Sequence, residues 1–202
     1  MRVSRKIPCK CQQKFAVVVD GECEFWYIQM LKRNERSLNI NLEPKLPQKK
    51  SVADQYNKII ELSSEYKKVF WIVDFDVILR ESRESRGGEK PIHVFSRIYP
   101  LLKKQKNIEV IINNPCLEYW YLLHFRQTSR YYDSYDRLIR DLKRHNPLSN
   151  YQKSEIFYTR HNQDIYLRLK PFLNTAIRNA NLLDDFDPLN PETGLSQMQK
   201  LF

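Results

Sequence analysis

The sequence lacks any long apolar run. None of its 202 residues lies in a stretch that approaches the roughly 20 apolar residues needed to cross a bilayer. The residues before the first apolar segment are basic and polar, without the apolar core of a signal peptide. We therefore expect no membrane association and, by default, a cytoplasmic location.

Metal-binding cysteine patterns and internal repeats are absent as well. The four cysteines, Cys9, Cys11, Cys23 and Cys116, include no Cys-x-x-Cys pair. Cys9 and Cys11 flank a single residue, and no nearby histidine completes a zinc-binding set. We therefore interpret all four as reduced thiols with a structural or incidental role.

The composition is that of a folded, basic protein. Hydrophobic residues make up 42% of the chain and aromatic residues 12%, which is ample for a packed core and excludes global disorder. Lys and Arg outnumber Asp and Glu by 34 to 24, a formal net charge of +10. Such a charge attracts polyanions without selecting one, so the charge alone leaves a nucleic-acid partner open.

Apolar runs and helical periodicity alternate four times. We predict strands at 15–19, 37–42, 69–73 and 108–112, and helices at 22–33, 51–66, 92–104 and 116–125. Residues 43–50 form a connection rich in Pro and Lys, and 80–90 a charged surface loop. This order favours a parallel, helix-covered sheet.

The second part of the chain shows no convincing strand after residue 126. Helices are predicted at 131–144 and 164–183, followed by an acidic linker at 184–193 and a short terminal helix. The predicted fold class is therefore α/β, with a four-stranded parallel sheet. We place the core at 14–126 and a helical extension, packed on that core, at 127–202.

Acidic residues follow two of the predicted strands. Asp20 follows the first, and Asp74 and Asp76 follow the third, at the edge where parallel sheets bind ligands. Because residues two apart on an extended segment point the same way, Asp74 and Asp76 would face one space. Clustered carboxylates repel one another unless a cation intervenes, and oxygen ligands select Mg²⁺ or Mn²⁺. Such an ion can neutralise phosphate charge and orient a water molecule.

Each of these residues also has a plain structural interpretation. Acids after strands serve as helix caps or turn residues, which explains Asp20 alone equally well. Glu22 fits a solvated first-turn acid that complements the helix dipole. Asn114 and Pro115 fit an N-cap and a first helical residue. Trp120 fits the core, and the six-residue separation of Glu118 and His124 places them on different helical faces.

Three segments together resemble the RloB family. Residues 20–24, Asp-Gly-Glu-Cys-Glu, resemble its opening Glu-Gly-x-x-Glu motif, and 74–76 resemble its Asp-x-Asp motif. Residues 114–125 resemble its most specific signature, Asn-Pro-x-hydrophobic-Glu-x-Trp-x-Leu-Leu-His-Phe, and 190–193 are similar to its usual ending. The resemblance spans nearly the whole chain. The residues of the signature are Asn114, Pro115, Glu118, Trp120 and His124.

The resemblance implies a fold and a site. RloB-like proteins are associated with bacterial restriction and abortive-infection loci and are thought to have a Toprim-like fold. Toprim domains use an acid after strand one and an Asp-x-Asp after strand three. By resemblance, Asp20, Asp74 and Asp76 would bind Mg²⁺ or Mn²⁺. Glu24 would be a fourth catalytic acid, either a ligand itself or a residue that positions one. The family's first acid is normally Glu, and Asp20 reaches about 1.5 Å less. That departure would weaken catalysis, shift the role to Glu22 or Glu24, or mark a degenerate site.

The leading functional hypothesis is a phage-defence nuclease that cleaves DNA or RNA phosphodiesters with a divalent ion. Basic residues on the predicted connections would guide the strand, although each taken singly equally fits a solvated charge. These residues are Lys45, Lys49, Lys50, Arg80, Arg83 and Arg86.

Two other hypotheses come from different classes. The chain fits a non-catalytic sensor or assembly subunit of a defence system, with another subunit as its partner and a degenerate acidic site; Asp20 in place of Glu favours this alternative. A haloacid-dehalogenase-type phosphatase is disfavoured, because its Asp-x-Asp closes the first strand and Asp74 ends the third. No later strand here carries the second acid pair of such enzymes.

Overall fold

The apolar runs of the sequence form the centre of a sheet. The computed structural model describes residues 13–35, 40–45, 51–188 and 191–202. In these residues the strands are β1 Gln13–Val18, β2 Ile40–Lys45, β3 Lys68–Asp74, β4 Ile108–Asn114 and β5 Leu195–Ser196.

Nine α-helices lie in the same described ranges. They are α1 Glu22–Asn34, α2 Val52–Glu65, α3 Phe75–Glu84, α4 Pro91–Lys103, α5 Glu118–Leu123, α6 Tyr135–Leu142, α7 Glu155–Thr159, α8 Ile165–Leu169 and α9 Leu173–Asn181. Short 3₁₀ helices lie at Asn146–Leu148, Lys170–Phe172 and Met198–Leu201. Within the described part of the chain, every helix is too short or too polar to cross a membrane.

The sheet is mixed but mostly parallel. Its strand order is β2-β1-β3-β4-β5, and the first four strands are parallel, as predicted. The absence of a strand after residue 126 was a wrong prediction, because β5 pairs antiparallel with the end of β4. A two-residue strand carries no periodic signal, so only its tertiary pairing with Asn113 and Asn114 defines it.

Alternate side chains of each central strand enter two different apolar cores. In β3, Phe70 and Ile72 join a core with α1, α5 and the C-terminal helices. Trp71 and Val73 join a second core with α2, α3 and α4. Because α1 and α2 cover opposite faces, the winding direction reverses at β1. In open parallel sheets, ligands bind at the carboxyl ends of the strands flanking such a reversal, which here are β1 and β3.

Several element boundaries differ from the predictions. The second strand is Ile40–Lys45 rather than 37–42, and it includes Pro44, which an edge strand tolerates. Residues 80–84 of the predicted loop belong to α3, because Phe75, Ile78 and Ser82 recur at helical spacing and are buried. The rest of the connection at 46–50 lies outside the described residues.

The helical extension is more broken than predicted. The helix expected at 131–144 is confined to α6, and the helix expected at 164–183 is divided into α8 and α9 around Pro171. The segment between these predicted helices contains α7. Side chains of the extension, such as Tyr158 and Ile165, share one apolar core with α1. The division of the chain at residue 126 stays a prediction.

Candidate metal centre

A cavity of about 200 Å³ opens at the carboxyl ends of β1 and β3. Asp20 follows β1, Asp74 ends β3, and both line this cavity, so the structure brings together two of the acids predicted from the sequence. The Nε2 of Gln55 donates to Asp20 Oδ1 at 2.9 Å. The full lining is Asp20, Gly21, Glu22, Cys23, Glu24, Trp26, Asp74, Val77 and Lys153.

Asp74 is buried among other acids. Burial raises the pKa of its carboxyl well above the usual value, and the nearby charge of Glu24 raises this pKa further. The Nδ2 of Asn113 donates to Asp74 Oδ1 at 3.2 Å. A hydrogen bond between Asp74 and Glu24 requires a proton on one of the two carboxyl groups. A cation could replace that proton.

Glu24 is buried as well, whereas Glu22, in the same turn, is exposed as predicted. Burial raises the pKa of Glu24 to about 7, and the charge of Glu118 contributes to the rise. A Cβ at position 21 would come within 2.5 Å of Glu24 Oε2. Glycine at position 21 therefore leaves the space that the Glu24 carboxyl occupies.

Asp76 is oriented differently from the prediction. It lies in the first turn of α3, so the expectation that an extended segment aligns it with Asp74 is wrong. It lines a separate cavity of about 440 Å³. Burial raises its pKa to about 6, although Lys153 and Arg80 oppose the rise. Its Oδ1 is buried and has no hydrogen-bond partner in the described part of the chain.

Asp74 also belongs to a second group of potential metal ligands. Asp74, Cys116 and Glu118 are all buried, and each offers a ligand atom within 4.8 Å of the others. Burial raises the pKa of the Cys116 thiol well above its ordinary value, and the charge of Glu118 raises it further. Cys116 is a buried free thiol, in agreement with the expected reduced state, and its Sγ is one of the three potential ligand atoms. Cys23 is buried with a free thiol, whereas Cys9 and Cys11 lie outside the described residues.

The two carboxylate oxygens of Glu118 differ in their partners. Its Oε1 accepts from the Tyr151 hydroxyl at 2.7 Å and lies 3.5 Å from Lys153 Nζ. Its Oε2 is buried and finds no hydrogen-bond partner among the described residues. An unpaired buried carboxylate oxygen is costly, so this atom is suited to a cation.

The expected helix cap before Glu118 is not formed. Because α5 begins only at Glu118, Asn114 is not its N-cap and Pro115 is not its first residue. The Nδ2 of Asn114 instead donates to the carbonyl oxygens of Pro191 and Thr193 at 2.6 and 2.8 Å. Asn114 therefore holds the C-terminal segment against the end of β4.

Lys153 is a site residue that the sequence did not reveal. It lies between the 3₁₀ helix Asn146–Leu148 and α7, and it lines the acidic cavity. Its side chain is 48% exposed. Burial lowers its pKa, but Glu118 and the other acids outweigh that effect and raise it. The surrounding segment is polar and without periodicity, so only tertiary packing identifies this lysine.

Trp120 and His124 are buried next to each other in α5 and directly after it. Trp120 is buried, as predicted, and its Nε1 donates to the Tyr27 hydroxyl at 2.9 Å. The Nδ1 of His124 lies 2.9 Å from the Trp120 carbonyl oxygen, and burial lowers the pKa of this histidine to about 4. Among the described residues, no hydrogen bond or ion pair joins His124 to Glu118, in agreement with their placement on different helical faces.

These signature residues agree with a family comparison. A family model described as RloB-like protein matches residues 15–201. The chain belongs to the RloB-like family. No curated protein and no solved structure matches the chain significantly. Membership of the RloB-like family suggests a defence-associated role.

The predicted basic residues of this RloB-like protein are divided between different places. Arg80 and Arg83 line the 440 Å³ cavity together with Asp76. Arg86 is exposed just past α3. Lys45 lies in β2, with Nζ 5.7 Å from the Tyr66 ring centre. Lys49 and Lys50 lie outside the described residues, and nucleic-acid contact by any of the six stays a prediction.

The donors of the RloB-like site fit a metal ion. Asp74 is shared by the cavity and by the Asp74–Cys116–Glu118 set, so the two groups of acids are continuous. Two buried oxygens, Asp76 Oδ1 and Glu118 Oε2, lack hydrogen-bond partners among the described residues. A cation held by Asp74, Cys116 and Glu118 would satisfy Glu118 Oε2 and reduce the repulsion among the carboxylates.

Proposed function

We propose that this protein is a divalent-metal-dependent nuclease of a bacterial defence system, acting on DNA or RNA phosphodiesters. The observation that carries the proposal is the convergence of buried acids at the carboxyl ends of β1 and β3. Acids after strands one and three are the positions that Toprim enzymes use, so a Toprim-like site is part of the proposal.

Mg²⁺ or Mn²⁺ is the proposed ion. Asp74 and Glu118 supply the hard carboxylate oxygens that both ions bind. Cys116 supplies a softer sulfur, which favours Mn²⁺ over Mg²⁺. When bound, such an ion neutralises phosphate charge and activates water.

The residues at the cavity mouth have separate roles in this proposal. Asp20, held by Gln55, lies half-buried at the cavity and would orient water near the phosphate. Glu24, buried beside Asp74, would belong to the metal centre, with the ion replacing the proton that the two carboxyl groups share in the metal-free protein. Lys153 would contact a non-bridging phosphate oxygen from the extension side, because its Nζ combines a positive charge with partial exposure.

The first test is metal-dependent cleavage by the Asp74→Asn variant. We expect the wild-type protein to cleave single-stranded or duplex substrates with Mn²⁺, and the variant to lose at least about 100-fold in rate, since it loses a shared metal ligand. Asp136→Asn is the matched control, because Asp136 is an exposed acid in the first turn of α6. Full activity of Asp74→Asn would refute the catalytic assignment.

A non-catalytic sensor or assembly subunit is the second candidate. The shorter Asp20 in place of the family's Glu favours it, since its carboxylate is already bound to Gln55. Calorimetry with Mn²⁺ separates the two candidates. Stoichiometric Mn²⁺ binding that Asp74→Ala abolishes, with no cleavage of DNA or RNA by the wild type, would favour the sensor.

A further inference from the structure

A second charged cavity lies in the helical extension, outside the candidate metal centre. It has a volume of about 220 Å³ and lies beside α6. Its lining contains four arginines and a single acid, so positive charge dominates it. The lining residues are Arg130, Tyr132, Arg137, Arg140, Asp141 and Arg144.

The single acid of the lining, Asp141, lies close to two of the four arginines. Asp141 is only 13% exposed, and its carboxylate lies 2.9 Å from Arg144 and 3.7 Å from Arg130. The Tyr132 hydroxyl donates to the same carboxylate at 2.8 Å. One aspartate against four arginines leaves an excess of three positive charges in the lining.

The remaining arginines are available to a ligand. Arg137 pairs with Asp133 at 2.7 Å, but both side chains are 59% exposed, so this ion pair is weak and easily exchanged. Arg140 is exposed and makes no ion pair with the residues that the structure describes. Planar guanidinium groups bind phosphate oxygens through two parallel hydrogen bonds, which suits this cavity to phosphate groups.

The arginine cavity shares one wall with a neighbouring cavity. Tyr132 lines this cavity and also the 440 Å³ cavity that contains Asp76 and Arg80. The guanidinium carbon of Arg130 lies 5.1 Å from the Tyr132 ring centre. Basic and aromatic groups therefore continue from α6 towards Asp76, as expected for the path of a polymer and not for a closed site for one small anion.

We propose that Arg130, Arg137, Arg140 and Arg144 form a backbone-phosphate site for a nucleic-acid strand. The strand would lead to the cavity lined by Asp76, two residues beyond Asp74 of the acidic cavity. This inference rests on the proposed function for the identity of the polymer. It adds a binding surface in the extension that is separate from the six basic residues predicted from the sequence.

The test measures binding without cleavage. Full-length protein is titrated against a fluorescent single strand of DNA or RNA in EDTA, at several salt concentrations. The variant is Arg137→Gln/Arg140→Gln, which leaves the Asp141 network intact. We expect roughly ten-fold weaker binding at moderate salt, and a slope of log affinity against log salt reduced by about 1.4, or about 0.7 per lost phosphate contact.

Lys103→Gln/Lys104→Gln is the matched control. It removes the same charge from exposed positions at the end of α4, on the other face of the sheet. We expect its binding and salt slope to remain near wild type. An unchanged slope in the arginine variant, or an equal loss in the lysine variant, would overturn the inference.

Two further measurements separate this inference from the proposed catalysis. Asp74→Asn should retain strand binding in EDTA while losing cleavage, since Asp74 is outside the arginine cavity. Normal strand binding by the arginine variant, with cleavage still lost in Asp74→Asn, would refute only the arginine site. The polymer path would be rejected by a different result: the wild type binds a mononucleotide saturably, the arginine variant does not, and both bind the strand equally well.

Discussion

The acidic cavity and the arginine cavity are similar in volume but opposite in burial as well as in charge. The acids around Asp74 are buried, and burial raises the pKa values of Glu24, Asp74 and Asp76. The arginines beside α6 are exposed to water. Ionised acids around Asp74 therefore destabilise the metal-free fold, whereas the exposed arginines beside α6 have little effect on its stability.

The largest expected effect tests that difference at Glu24. The pKa of Glu24 in the folded protein, about 7, lies above the ordinary value of 4.5. Between pH 4.5 and 7 the folded state therefore binds more protons than the unfolded state. Protonation of Glu24 stabilises the fold fully below pH 4.5, and this stabilisation is lost as the pH rises through 7. Ionised Glu24 then costs about 3 kcal/mol at pH 8.

Glu24→Gln removes that cost. We expect denaturant unfolding in EDTA to show the variant more stable than wild type by about 3 kcal/mol at pH 8, and by about 1 kcal/mol or less at pH 5. Arg140→Gln is the comparison from the other region and should change stability by at most about 0.5 kcal/mol. A Glu24→Gln variant that is less stable at pH 8 would contradict the argument.

A smaller effect is expected at Gly194, which supports the arginine region. A Cβ at this position would overlap the Arg130 carbonyl oxygen and the Tyr119 hydroxyl. The Gly194 N–H also donates to the Ser129 carbonyl oxygen at 3.1 Å. Because the obstruction includes backbone, Gly194→Ala should destabilise the protein by about 1–3 kcal/mol.

Gly87 provides the control for that substitution, since a Cβ there meets no atom within 4 Å. Thermal unfolding of Gly194→Ala and Gly87→Ala compares the two positions directly. Equal melting temperatures would show that the C-terminal segment does not hold the Arg130 loop as closely as described.

The smallest expected effect concerns Gly21 in the acidic region. Here a Cβ would meet only the end of the Glu24 side chain, which can move. Gly21→Ala should therefore leave the fold intact and displace the Glu24 carboxyl, weakening Mn²⁺ binding about ten-fold, or about 1.4 kcal/mol. Calorimetry with Mn²⁺ measures this change, and strand binding in EDTA should be unaltered. Unchanged Mn²⁺ affinity would remove Glu24 from the metal centre.

The strands and most core helices were predictable because their signals are local. β1 and β3 contain continuous apolar runs, and the apolar residues of β4 are interrupted only by Glu109 before its polar end. α2 begins at Val52, directly after Ser51, whose hydroxyl accepts a hydrogen bond from the Asp54 N–H. The extension was harder to predict, because its helices are short. Its terminal strand β5 exists only through pairing with β4.

Some residues of the candidate site were likewise predictable from the sequence, and others were not. Asp20 and Asp74 follow buried parallel strands, and that position alone indicated a common edge. Asp76 was misplaced because the chain turns into α3 immediately after Asp74, without a turn residue to signal the change. The convergence of Cys116 and Glu118 on Asp74 depends on how the segment after β4 folds back.

The order of residues is sufficient to specify a mostly parallel sheet with acids at its ligand-binding edge, because strand periodicity and strand ends are local properties of the chain. Tertiary structure decided which acids are buried together, that Lys153 reaches them, and that four arginines surround Asp141 in the extension. The protonation of a carboxyl group and the affinity of a cavity depend on the distances to all surrounding charges. Residues remote in sequence set those distances, so no local pattern contains them.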